Sequence, residues 1–410
     1  MKKIIKLFLI ITTVILFCNI NDALSTTWHW TNGNSTNIWN DADNWSDGFN
    51  PGIPAAGDVV IFDATSSNNC NIDVSTASLN SFTITADYTG VITQNAGFTI
   101  NVNYNNANFA IAGGTFTGGN SNMTVTGTFT QTGGTFTSTT ASLNIAGNFT
   151  QSGGTFNHNN GTVVFGVNDL TIYNTPSFYA VKFNNSIGST GRVYTIDNSI
   201  TVNGDMSFYS GGTSSVRTIT LNSGTGAGTI NLKGNFTGFG NCTSASGGGT
   251  ATIVFNGTGA QTITGTTTAD GRVPFPNVTI NKPSGTLTFV DNISVSGNWT
   301  NTAGTIAPGT STVVFGGTIN MDPGTTSCFN NLIVNSGTTT LTNALNATNL
   351  AGNLTVVGGT LNNGGLAITG NAGATFQVNN GTTFVLTGTS AMPTGFGTTT
   401  LQATSTVNFN

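Results

Sequence analysis

Gly113-Gly114-Thr115-Phe116 returns as Gly133-Gly134-Thr135-Phe136 and again as Gly153-Gly154-Thr155-Phe156, a period of 20 residues. Phe109, Phe129 and Phe149 keep the same spacing. So do Met123, Leu143 and Val163, and so do Val125, Ile145 and Phe165. A fixed period of this length marks a solenoid, in which each repeat stacks on the last. The residue types choose the kind of solenoid. Thr, Val, Ile and Phe favour strands, and here they alternate with small polar residues, as in Met123-Thr124-Val125-Thr126. Paired glycines break the runs where a chain must turn a corner. The stretch from Asn108 to Gly166 therefore predicts one β-coil per 20 residues. Like side chains should sit above like side chains, in interior ladders of Phe and of Val, Ile and Leu.

Composition agrees with an all-β chain. Only 6% of the 410 residues are charged, and all 14 acidic residues are Asp, with no Glu. Glu, Lys, Arg and Leu build surface helices, so their shortage argues against α structure. The 27 Phe argue against disorder, which goes with few aromatic residues. At 20 residues per coil, about 345 residues make roughly 17 coils. At ~4.8 Å per strand spacing the column would be on the order of 80 Å long.

Three regions follow. Lys2, Lys3 and Lys6 precede the apolar run Leu7 to Phe17, and Ala23-Leu24-Ser25 offers small residues for cleavage. Residues 1–25 thus read as a secretory signal peptide, and the run is short for a membrane span. No second apolar run is long enough to span, so a secreted or outer-surface protein without a transmembrane segment is expected. Residues 26–64 hold Trp28, Trp30, Trp39 and Trp45 with Asp41, Asp43, Asp47, Asp58 and Asp63. An aromatic module ahead of the first coil fits an N-terminal cap, because the end of a solenoid exposes unpaired backbone. Residues 65–410 are repeats. Gly234-Asn235-Phe236-Thr237 recurs as Gly297-Asn298-Trp299-Thr300 and Gly352-Asn353-Leu354-Thr355. Ser405 to Asn410 matches Ser311 to Gly316, which suggests truncation at the C-terminus or a longer native protein, monomeric or part of that longer chain.

Removing residues 1–25 takes three of nine basic residues and one of fourteen acidic ones, which leaves six against thirteen, a net of −7. Such a surface has no electrostatic footprint for nucleic acid or anionic lipid. Cys70, Cys242 and Cys328 remain. Their odd number and wide spacing fit neither a disulfide framework nor a zinc site, and their pairing state stays open.

With these motifs in view, the chain resembles large exported bacterial surface proteins built of right-handed parallel β-helix repeats, adhesin- or autotransporter-like. The matching segments are Gly297 to Thr305, Thr252 to Ile263 and Phe329 to Asn335. Trp30, Trp39, Asn44-Trp45, Pro54 and Gly57-Asp58 resemble the Trp-rich opening of many such proteins. Some members leave the cell by the type IX route. The resemblance implies a right-handed parallel β-helix, export, and a role at the cell surface.

Several side chains are candidates for chemistry. Asp41, Asp43 and Asp47 put three carboxylates in one loop, as calcium loops do, though the closing Glu of such loops is missing. Calcium is the one cofactor these residues suggest; otherwise none is expected. The bland alternative is a loop whose Asp side chains accept from the local backbone. Tyr173, Phe178 and Tyr179 lie where the repeat is least regular and could stack on sugar rings, or pack beneath a loop. His29 and His158 are the only histidines, and no Ser/His/Asp grouping can be proposed from the sequence. If the chain were an enzyme, its site would lie among Lys182, Arg192, Arg217, Lys233, Arg272 and Lys282, with Asp197, Asp205, Asp270 and Asp291 nearby. Recurring Thr-x-Thr, as at Thr115/Thr117 and Thr135/Thr137, turns pairs of threonines outward, as ice-binding faces do, but Thr155 is followed by Asn157. The function expected is a non-enzymatic structural or adhesive surface protein, a rigid β-helical stalk. Its partners would be extracellular glycans or host or cell-surface molecules. The alternatives are a glycan-binding or polysaccharide-degrading β-helix, and an ice-binding solenoid.

Overall fold

The computed structural model describes residues 25–410, apart from 167, 186–190, 211–218, 241–247 and 266–272. The expected signal peptide lies almost wholly outside these residues, as do Cys242, Arg217, Asp270 and Arg272. Among the described residues, no helix is long and apolar enough to cross a membrane. The chain is all-β, with one short 3-10 turn at Ala42–Asn44, and winds into a parallel β-solenoid of about 14 turns.

Each turn carries strands on three faces. The first face opens with Val59–Phe62, Ser81–Ile84, Asn108–Ile111, Phe129–Gln131 and Phe149–Gln151. The second carries Cys70–Ile72, Val91–Gln94, Thr115–Thr117, Thr135–Thr137 and Thr155–Asn157. The third carries Ile100–Val102, Met123–Val125, Ser142–Ile145, Thr162–Phe165 and Ala180–Asn185. Farther along, Asn277–Phe289 is long enough to run round the corner between the second and third faces.

The 20-residue register is as expected within the array: Phe109 pairs with Phe129 and Phe129 with Phe149. Elsewhere the coils vary in length and many are longer, so that the solenoid as a whole averages about 23 residues per coil. Val60 pairs with Phe82, Phe82 with Phe109, and Tyr194 with Leu221. Longer coils mean fewer of them, so the expectation of roughly 17 turns is corrected to about 14, and the column shortens to on the order of 65 Å.

The interior is a stack of like side chains. Phe109, Phe129 and Phe149 are fully buried, with ring centroids 5.2 and 5.0 Å apart. Phe116, Phe136 and Phe156 form a second column at 4.9 and 5.5 Å. Edge-to-face contacts join the two, as between Phe129 and Phe136 at 4.9 Å. At the head of the first column, Trp39 and Trp45 lie against Phe62, and Trp39 stacks on Phe82 at 6.0 Å. Thr27–Trp30 adds a parallel strand to Val59–Phe62, and Asp58 holds it by accepting from Thr26 N and Trp28 Nε1 at 2.9 and 2.8 Å.

The corners explain the rest of the repeat. A Cβ on Gly133 would collide with the carbonyl oxygen of Ala112 one coil earlier, and its neighbour Gly134 takes φ +60°. Both glycines of the pair are needed, one for close approach and one for its backbone conformation. The Asn of the Gly-Asn-x-Thr motif accepts a backbone N–H from the next coil. Asn298 Oδ1 takes Asn320 N at 2.8 Å and Asn353 Oδ1 takes Thr375 N at 2.9 Å. Asn108 does the same for Thr128 N at 2.8 Å. These side chains stand in for carbonyls where the ladder is interrupted.

Replacing Phe129 by Ala is expected to cost about 3–5 kcal/mol, because a fully buried ring is lost between two neighbours that cannot close the gap. A denaturant melt measures it, and an unchanged midpoint would contradict a continuous column.

Candidate functional site

Phe178 does not reach the surface. Offered as a sugar contact or as a ring packed beneath a loop, it is fully buried, in contact with Phe149, Phe156 and Phe165 at 5.2, 5.8 and 5.7 Å. It points inward, while its neighbour Tyr179, at the bend between Ser177–Phe178 and Ala180–Asn185, points outward. Tyr173 is 36% exposed but stands on the first face, beside Thr150. The three aromatics therefore do not form one platform.

Tyr179 instead joins residues that the sequence did not single out together. It is 39% exposed, and its ring lies 5.7 Å from that of His158. Just beyond it, Ala180–Asn185 runs along the third face between Thr162–Phe165 and Met206–Ser210. Parallel register sets Lys182 between Val164 and Ser207, and Asn184 beside Tyr209. The Lys182 ammonium sits 4.1 Å from the centre of the Tyr209 ring, a cation–π contact. Next to them is a hollow of about 110 Å³, lined among others by Thr126, Asn144, Ile145, Ala146, Val164 and Asn184. It exists because Ala146 and Gly166 occupy the outward column where neighbouring coils carry Thr126 and Asn184. Asn184 Oδ1 is shielded from solvent and takes no hydrogen bond within the protein. Along this side of the solenoid lie an exposed aromatic ring, one cation and a shallow hollow with an apolar floor.

A second hollow, about 270 Å³, lies between Ile368-Thr369 and Thr389 to Met392. No ionisable side chain lines it.

Two of the three candidate calcium ligands, Asp41 and Asp47, are engaged locally. Asp41 accepts from Thr36 Oγ1, Asn34 Nδ2 and Asp43 N at 2.8, 3.0 and 3.2 Å, which caps the 3-10 turn. Asp47 Oδ1 accepts from Phe49 N and Asn50 N at 2.7 and 2.6 Å. The bonds from Thr36 and Asn34 hold the Asp41 carboxyl below its usual range, and those from Asn50 and Phe49 do so for Asp47. Among the described residues, no three His, Cys, Asp or Glu side chains are grouped to hold a metal. Cys70 and Cys328 are free and buried, and burial pushes both thiols well above their ordinary pKa.

Among the residues named for an enzyme, several bond to amides and backbone N–H groups. Lys233 Nζ donates to Asn203 Oδ1 at 3.0 Å. Asp197, Asp205 and Asp291 accept from Thr225 N, Asn235 N and Gly265 N at 3.1, 2.8 and 2.9 Å. The one ion pair among the described residues is His29 Nδ1 with Asp63 Oδ2, at 2.7 Å. Ser46 stands opposite His29 in an antiparallel pair, which the sequence could not reveal. Its hydroxyl accepts from Gly48 N at 3.0 Å, and no hydrogen bond joins it to His29. The His29–Asp63 pair links the strand Thr27–Trp30 to the first coil. On the second face, outward Thr115, Thr135 and Thr155 align, as do Thr117 and Thr137, but Val91 and Asn157 end the two columns.

Compared with protein-family models, with curated proteins and with solved structures, the chain finds no match in any of the three.

Burial raises the Asp63 pKa, but the bonds from Thr65 and the pairing with His29 outweigh it and leave the carboxyl below its ordinary value. A depressed carboxyl stabilises the fold above about pH 4 and ceases to as pH falls through its folded value. Asp63→Asn should thus lower the melting temperature at neutral pH, with the gap to the parent closing on acidification. Added calcium is expected to leave the melting temperature unchanged, since Asp41 and Asp47 are already engaged; a rise would restore the calcium reading.

Proposed function

We propose that the chain is an exported, non-enzymatic adhesive protein, a rigid β-solenoid that presents the third-face patch around Tyr179 and Lys182 to extracellular glycans. One observation carries the stalk reading: the interior aromatic and aliphatic columns run coil upon coil, each turn held by main-chain pairing to the last. A solenoid of this kind is stiff along its axis, because every interface repeats the one before. The glycan reading rests on the patch. An exposed Tyr ring offers an apolar face to a sugar ring, while the Lys182 ammonium offers a donor to its hydroxyls. The low charge of the surroundings suits a neutral ligand.

Glycan-array binding by the purified chain, followed by hydrolase assays on whatever it retains, tests both parts. Retention without cleavage is expected. Tyr179→Ala should weaken it about tenfold or more, a loss of roughly 1.4 kcal/mol, while Tyr173→Ala on the first face should leave it unchanged. Equal loss from both variants, or cleavage of the bound glycan, would overturn the reading.

A further inference from the structure

Among the described residues, one lysine lies inside the solenoid. Lys282, at the corner within Asn277–Phe289, is 2% exposed. Its Nζ donates to Gly257 O, Gly259 O and Gln261 Oε1 at 2.8, 2.9 and 2.7 Å. No carboxylate is among these partners. Gln261, one coil earlier, is fully buried. Its Nε2 donates to the carbonyls of Leu232 and Gly234, and its Oε1 also accepts Gly257 N at 3.0 Å. A buried cation without a counter-charge is costly.

We propose that Lys282 and Gln261 react with each other to form an isopeptide bond that joins two neighbouring coils. The geometry supplies what the step needs. The amine touches the amide oxygen, which sets it beside Cδ, and the surrounding backbone excludes water. Gly257 N–H already bonds the oxygen on which charge develops, as an oxyanion donor does. Burial lowers the Lys282 pKa, which enlarges the neutral, nucleophilic fraction. The Nζ lone pair attacks Cδ and a C–N bond forms. A proton passes from Nζ to Nε2, the Cδ–Nε2 bond breaks, and ammonia leaves. A primary amine and a carboxamide become a secondary amide and ammonia, with no oxidant or co-reactant. The product removes the buried charge and closes a covalent loop between positions 261 and 282, where the side chains otherwise meet only through a hydrogen bond.

The test is mass spectrometry of the full chain as purified. Trypsin cuts after Lys233 and Arg272, while Pro283 protects Lys282 and no Lys or Arg follows it. The expected result is an intact mass lighter by one ammonia, with peptides 234–272 and 273–410 covalently joined and fragment ions placing the link at Gln261 and Lys282. Lys282→Met and Gln261→Met should each restore the sequence mass. Two separate peptides, with Lys282 open to an amine reagent after denaturation, would overturn the proposal. Ammonia loss that leaves the peptides separate, as from an Asn closing to a succinimide, overturns it equally. The parent chain alone decides, whether or not the variants fold.

Discussion

Parallel pairing between successive turns is the constraint on which the rest of this structure depends. Each outward or inward column exists because a residue in one coil faces its equivalent in the next, as Phe116 faces Phe136 and Phe136 faces Phe156. The backbone donors and acceptors of a strand must be met by the coils on either side. At corners the ladder lapses, and side chains take over. Asn298 and Asn353 accept the N–H groups of the following coil, while Gln131 and Gln261 reach inward to bond carbonyls. The scarcity of charge follows from the same constraint. A thin column leaves little room for ionised groups inside, and amides satisfy the corners without the cost of burying charge.

Because the interior repeats, variety is left to the outside. The strict 20-residue coils carry Thr, Asn and Ser on their outer faces. Where the coils lengthen, between Leu170 and Ser210, the outward positions carry Tyr173, Tyr179, Lys182 and Tyr209. Two small residues, Ala146 and Gly166, hollow the third face beside them. A stiff scaffold with one irregular, aromatic region on its surface is a reasonable device for contact, since the coils beneath hold the contacting groups in place. Lys282 brings a charge into this mostly uncharged interior, and it lies against an amide with which it can react.

The sequence by itself determined the architecture. A 20-residue period in Phe109, Phe129 and Phe149, with paired glycines at the turns, leaves few ways to bury so many aromatic rings other than stacked coils. It could also show that Asp41 and Asp47 sit in a turn-rich loop, but not where their oxygens point; in the fold they accept from local N–H and side-chain donors. Tertiary structure alone decided which residues share a face. Coil lengths between 18 and 30 residues shift the register outside the array, so sequence distance no longer measures spatial distance. Tyr179 and Phe178 are adjacent in sequence yet point to opposite sides of the wall, while His29 and Asp63, Lys182 and Tyr209, and Gln261 and Lys282 meet only because one coil lies on another. A period gives the stacking; the side to which each chain points, and what it meets there, depends on where every corner falls.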